Sequence, residues 1–405
     1  MLKDFFCKPL ANDMNRNERD NQPNYCDLEH METLQISPAM LDWAALKAGK
    51  TLESLAGEIV AERNRGRFLE GNLTVPQLEK VAALTNTPFG FLFLPAPPPI
   101  EKPVLPDLRQ VVNPDPFGSD FFELLEDVKK KQDWFIDYLK EAGADPLPFI
   151  GRFSKKTPIK TVADDIAKAA GITYELRKSA ATAEKYFSAL SERFESIGIL
   201  VLKSGIVRSN TSKGLSVAEF RGFAICDDYA PLVFINGKDS EAAWIFTLAH
   251  EIAHIWIGES AVSDLPAPNE FKSVTDIEYI CNKVAAELLT PAQEFVELWD
   301  RAHSLDQLAR HFKVSRLVVA RRAYDLGKID KATYSGVYAA SWKTKTSSGG
   351  SPYNTIPGRN SKRLTNALVK RTMEGNVLIR DAARLLNVTP GTVTNLYKKN
   401  IRPYV

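Results

Sequence analysis

The chain is poor in cysteine. Cys7, Cys26, Cys226 and Cys281 are the only four in 405 residues, and none forms a CxxC pair. That argues against a disulfide scaffold and fits a reducing cytoplasm. Long apolar runs are missing too. None reaches the roughly 20 residues a spanning helix needs, so no membrane association is expected. The amino end, MLKDFFCKPLANDMNRNERD, lacks a signal-peptide core, and Met31 is an alternative start. Net charge is nearly absent at +2, which by itself says nothing about partners. What is present, 44% hydrophobic and 25% charged residues, is the composition of a soluble globular protein. The length predicts roughly two to four units.

The charge is unevenly spread. From Trp342 to Val405 there are 12 Lys or Arg against only Glu374 and Asp381, a local excess of +10 that leaves −8 for the remainder. Such a field suits a polyanion partner, although a solvated tail has the same composition.

Histidine is scarce as well, with five in the chain, and two of them share one motif, WIFTLAHEIAHIWI. His250 and His254 are four apart, so on a helix they project from one face. Two neutral imidazoles there can hold Zn²⁺, while Glu251 takes a proton from the attacking water. The flanking Trp244, Phe246, Leu248, Ile252, Ile255 and Ile257 are those of a buried helix.

A catalytic zinc needs three protein ligands and one open position. The later helix DIEYICNKVAAELLTPAQEF offers Glu278 and Glu287. Nine residues amount to about 180° of helix rotation, so only one of them can face the metal. Glu278 followed by Asn282 forms ExxxN, which resembles the ExxxD of zincins whose third ligand is glutamate. That resemblance selects Glu278, with Asn282 steadying a zinc histidine. Cys281 shares the neighbourhood. Its thiolate could fill the open position and silence the site, or it could be a small buried hydrophobe.

In chain order, residues 1–30 read as a disordered extension. Residues 31–94 carry short capped helices: SPAMLDWAALKAG, LESLAGEI after Thr51, VAERNRGRFLEGN and VPQLEKVAALTNTP. LESLAGEI, FLEG and VPQLEKVAAL resemble the helix-turn-helix of Xre-type repressors. That resemblance puts Arg63, Asn64, Arg65 and Arg67 in a DNA groove. The other reading is a protein-interaction domain with a solvated basic face. Residues 95–118 form a proline-rich linker. DFFELLEDVKKKQDWFIDYLKEAG is a long packing helix, and GILVLKSG, FRGFAICD and PLVFING are strands. Val233, Phe234 and Ile235 are expected to offer a sheet edge that pairs with a substrate peptide, or to be an ordinary core strand.

FTLAHEIAHIWIG, EYICNKVAAELLTP and the strands before them resemble the ImmA/IrrE family of zinc metallopeptidases over roughly residues 150–330. LARHFKVSRLVVARRAYDLG fits the helices that follow in that family. Thr290-Pro291 stands where the family commonly has Met-Pro. The resemblance implies zinc held by His250, His254 and Glu278, Glu251 as general base, and site-specific cleavage of a repressor in stress-response or mobile-element control. The competing class is a DNA-binding regulator or antitoxin-like protein whose peptidase fold only senses.

The fold class is therefore α+β and predominantly helical: a helix-turn-helix domain, a gluzincin-like peptidase domain (119–340) with a small sheet, and a basic helical module (341–405). In that module VLIRDAARLLNVTPGTVTNLYKK has a second helix-turn-helix pattern, with Thr392, Thr394, Asn395 and Lys398 toward a groove. A dimerisation or packing pair of helices is the alternative. The expected partners are a repressor-like protein and DNA, and a homodimer is allowed for.

Overall fold

The computed structural model describes residues 33–48, 50–85, 87–98, 117–263, 276–302, 304–341 and 352–401. The expected extension 1–30 lies outside these residues, as do most of the linker and the Gly-Ser stretch 346–351. The chain divides into two compact units, the first up to residue 98 apart from 47–49 and the second comprising the rest. No helix of the described residues is long and apolar enough to cross a membrane.

The first unit runs β1 (Thr33–Gln35), α1 (Pro38–Lys47), α2 (Leu52–Ile59), α3 (Arg65–Leu69), β2 (Asn72–Thr74) and α4 (Val75–Leu84). Thr51 caps α2 by accepting the Ser54 N–H at 3.2 Å, and Thr74 with Gln77 forms a capping box on α4. Met40, Leu41, Leu55, Phe68, Leu78 and Val81 fill the core. Sequence periodicity indicated the helices but not the antiparallel β1–β2 ladder, Thr33↔Thr74 to Gln35↔Asn72. Strands of three residues are too short to show a period of two.

The second unit opens with α5 (Ser119–Glu141), α6 (Ile159–Ala170), α7 (Tyr174–Ser179) and α8 (Ala183–Ser196). The sheet follows, from β3 (Leu200–Ser204), β4 (Gly222–Ile225), β5 (Leu232–Asn236) and, after helix α9 (Glu241–Ile257), β6 (Ala261–Ser263). Its order is β3-β5-β4-β6. Strand β5 runs parallel to β3 and antiparallel to β4, and β6 runs antiparallel to β4.

This order corrects the edge assignment. Val233, Phe234 and Ile235 lie in β5, an interior strand with a ladder on each side, so no edge is free for a peptide. Their side chains alternate between two cores. Val233 and Ile235 pack on the face that meets α6, α8 and α9, and Phe234 packs on the face covered by α5. A sheet buried on both faces accounts for the continuous apolar runs of its strands.

After α9 come α10 (Asp276–Leu289), α11 (Ala292–Trp299), α12 (Leu305–Phe312), α13 (Arg316–Asp325) and α14 (Lys331–Ser341). Leu308, Phe312, Val318 and Val319 join the main core.

The chain ends in α15 (Pro352–Arg359), α16 (Lys362–Met373), α17 (Ile379–Leu386) and α18 (Pro390–Ile401). These helices have a small core of their own, with Leu368, Val369, Leu386, Val393 and Leu396. They belong to the second unit and dock on it. Leu364 enters the core under α5, the Lys362 N–H donates to Glu195 Oε1 at 2.9 Å, and Asn387 Nδ2 donates to both oxygens of Asp127 at 3.0 and 2.9 Å. Some of the basic excess is spent on this docking, since Arg371 pairs with Glu141 and Lys362 with Glu192.

Candidate metal centre

Helix α9 is buried along almost its whole length, so its position is set by packing on every side. Ser240 caps its start by accepting the Ala243 N–H at 3.3 Å. At its end Gly258 takes φ +81°, and a Cβ there would lie 2.7 Å from the Cα of Gly151, so two backbones cross where neither has a side chain. The Gly151 N–H donates to Ile255 O and the Phe153 N–H to Trp256 O, both at 3.1 Å, which satisfies the last carbonyls of the helix. Trp256 stacks on Phe149 at 4.4 Å and donates its indole N–H to Asp165 at 2.9 Å. The metal-binding face is thereby held in one rotation.

On that face His250 Nε2 and His254 Nε2 are 3.1 Å apart. Helix α10 brings Glu278 up to both, with Oε2 at 3.2 Å from His250 and Oε1 at 2.9 Å from His254. A tetrahedral ion with bonds of about 2.0–2.1 Å places its ligand atoms about 3.3 Å from each other, close to this triangle. Asn282, one turn after Glu278, sets its Oδ1 at 3.1 Å from His250 Nδ1. With Asn282 Oδ1 accepting from Nδ1–H, a neutral His250 turns its Nε2 lone pair toward Glu278 and keeps it available to ligate a cation.

The three groups are electrostatically coupled. Burial discourages a charge on either ring; at His250 the Glu278 carboxylate outweighs this and raises the pKa, whereas at His254 burial prevails and lowers it. Burial also opposes ionisation of Glu278, yet the two histidines hold its pKa down at about 2. Glu251 shares the pocket and is likewise fully buried. The triangle of ligand atoms with one acidic donor suits a divalent ion. The donor set therefore fits a metal. Among the described residues His250, His254 and Glu278 are the group whose ligand atoms converge in this way.

Glu287 faces away, as its half-turn offset requires. It pairs with Arg322 and accepts the Ala292 N–H at 3.2 Å. Thr290 is buried and donates to Ala286 O at 2.6 Å.

Cys281 packs in the main core beside Val284 and Ala285 and is not among the converging donors. Burial, with Glu278 and Glu251 adding to it, pushes its thiol pKa well up.

One contact had no sequence signal beyond a glycine at the start of a strand. A Cβ on Gly222 of β4 would meet Thr247 Cγ2 at 2.6 Å, Phe234 O at 3.0 Å and Glu251 Oε1 at 3.1 Å. The missing side chain lets β4 lie directly against the carboxylate of Glu251.

The residues expected at nucleic acid lie elsewhere. Arg63, Asn64, Arg65 and Arg67 are exposed, in the 3₁₀ turn Glu62–Asn64 and the five-residue α3. In α18 Asn395 and Lys398 are exposed, and Thr392 and Thr394 are half-buried. Asn387, at φ +54°, makes the bend between α17 and α18.

No curated protein and no solved structure matches the chain. Residues 360–399 match the model of a domain of unknown function (DUF8813). Residues 194–324, which contain His250, Glu251, His254, Glu278 and Asn282, match the Peptidase_M78 family model, described as the IrrE N-terminal-like domain, so this stretch is a domain of the metallopeptidase type.

Proposed function

We propose that the protein is a zinc-dependent endopeptidase that cuts a repressor-like protein, with DNA-binding segments at both ends of the chain. The convergence of His250, His254 and Glu278 beside Glu251 carries this reading. Zinc supplies a Lewis acid that polarises the scissile carbonyl and the attacking water. His250 and His254 offer Nε2, Glu278 balances the charge, and Asn282 fixes the His250 tautomer. Glu251 accepts the proton of the attacking water and returns it to the leaving amine. The M78-type domain supports the peptidase class. The exposed Arg63, Arg65 and Arg67, and Asn395 and Lys398 on α18, support contact with a polyanion.

Zinc analysis of the purified protein and of His250→Ala tests the ligands: about one zinc per chain is expected in the first and a loss in the second. Incubating zinc-loaded protein with repressors encoded beside it, with Glu251→Gln as control, tests the reaction. Equal cleavage with and without Glu251 removes the mechanism.

Burial of the site favours a second reading. Glu251, His254 and Glu278 are all 0% exposed, as suits a fold that senses and does not cut. Under that reading Glu251→Gln leaves DNA-linked regulation intact and no repressor fragment appears with either protein.

A further inference from the structure

We propose that β6, the strand that follows the metal helix, occupies the place of an extended substrate peptide beside β4, so that the protein in this state is latent and substrate must displace its own strand. This rests on the peptidase reading and names how that site is held shut.

Three observations combine. First, β4 is the strand next to the reacting groups, because Gly222 lies against Glu251 with no side chain between. Second, one ladder of β4 is taken by β5, so the other is the position from which a peptide backbone could reach the metal face. An added strand lies about 4.8 Å from its neighbour with its backbone bonded to it. Third, that position is filled from within the chain. Ser263 pairs with Gly222, Val262 with Phe223 and Ala261 with Ala224, in the antiparallel sense. The backbone of Ser263 thus stands opposite the residue that touches Glu251.

The ladder is short, with three residue pairs, and joins α9 through only Gly258, Glu259 and Ser260. Ser260 accepts the N–H of Cys226, the residue just after β4, at 2.9 Å, which guides the chain into register. A three-pair ladder is a modest barrier that a longer peptide can outcompete by adding rungs. The same arrangement reconciles an intact donor set with a buried one: the chemistry is complete and the approach is taken.

The test uses full-length, zinc-loaded protein and two probes. Acetohydroxamate chelates the metal without a peptide backbone; acetyl-trialanine hydroxamate chelates it and adds an extended strand. The variants are Ala261→Pro, Val262→Pro, and Ala261, Val262 and Ser263 all replaced by glycine. Successive residues of a strand alternate in direction, so one of the two prolines removes an N–H aimed at β4.

The expected result is equal affinity of all proteins for acetohydroxamate. The peptide hydroxamate should bind about ten-fold tighter to the triple-glycine variant and to one of the proline variants than to the parent protein. Equal peptide-hydroxamate affinity throughout, with acetohydroxamate bound, overturns the role of β6 and leaves the metal site standing. Failure of the zinc-loaded parent to bind acetohydroxamate instead removes the peptidase reading, and this proposal with it.

Discussion

Asn282 Oδ1 on α10 lies 3.1 Å from His250 Nδ1 on α9, so the helix that supplies the acidic donor also orients a histidine on the other. Loss of such a partner typically costs 10–100-fold in metal affinity. Asn282→Ala is expected to fall in that range when zinc is titrated against a chromophoric chelator, while Asn282→Asp retains the acceptor and most of the affinity. An alanine variant as tight as the parent would show that the His250 ring is fixed by packing alone.

The two glutamates of α10 should separate cleanly. Glu278→Gln weakens the carboxylate donor and is expected to lose metal. Glu287→Gln should keep its metal, because Glu287 binds the largely buried Arg322 instead. Breaking a buried pair costs about 3–5 kcal/mol, so its midpoint should drop by several degrees. Metal analysis and thermal unfolding on both variants decide the assignment; the opposite pattern would exchange their roles.

Much of this division was legible in the chain. HExxH fixes two donors by helical spacing, and the nine-residue offset of Glu278 and Glu287 says that they part company, as they do. The three longer strands show as apolar runs bounded by glycine. Sheet order did not show, because pairing depends on contacts between strands far apart in sequence; hence the expected edge strand β5 is interior, and the three-residue β6 leaves no pattern in the sequence. The docking of the carboxyl-terminal helices did not show for a related reason. The positive excess is a property of composition, while docking depends on Leu364 and Asn387 meeting α5, which no local pattern records.

Gly222 offers a test of how tightly β4 must lie on α9. Adding a methyl group would force it to 2.6 Å from Thr247 Cγ2 and 3.1 Å from Glu251 Oε1. Overpacking of this kind costs about 1–3 kcal/mol. Gly222→Ala should therefore lower the thermal midpoint, and Thr247→Ser, which removes the nearer obstacle, should recover part of the loss when combined with it. Additive effects in the double variant would mean that the two side chains do not meet.

Glu195 provides a pH signature for the docking of the carboxyl-terminal helices. Burial raises its pKa, and the opposing bonds from Ser361, from Lys362 and from Arg363 do not fully offset this. A carboxyl whose folded pKa lies above its unfolded value, about 4.3, stabilises the fold below that value. The contribution is lost as pH rises through the folded pKa. At neutral pH the buried anion is thus a cost. Glu195→Gln removes the charge and keeps an oxygen to accept the Lys362 N–H that Glu195 now receives at 2.9 Å. The variant should melt above the parent near pH 7.5, and the gap should close as pH falls toward 4. Thermal unfolding of the two proteins across that range checks the sign: a variant that melts below the parent at neutral pH would show that the ionised carboxylate, through Lys362, contributes more to docking than its burial costs.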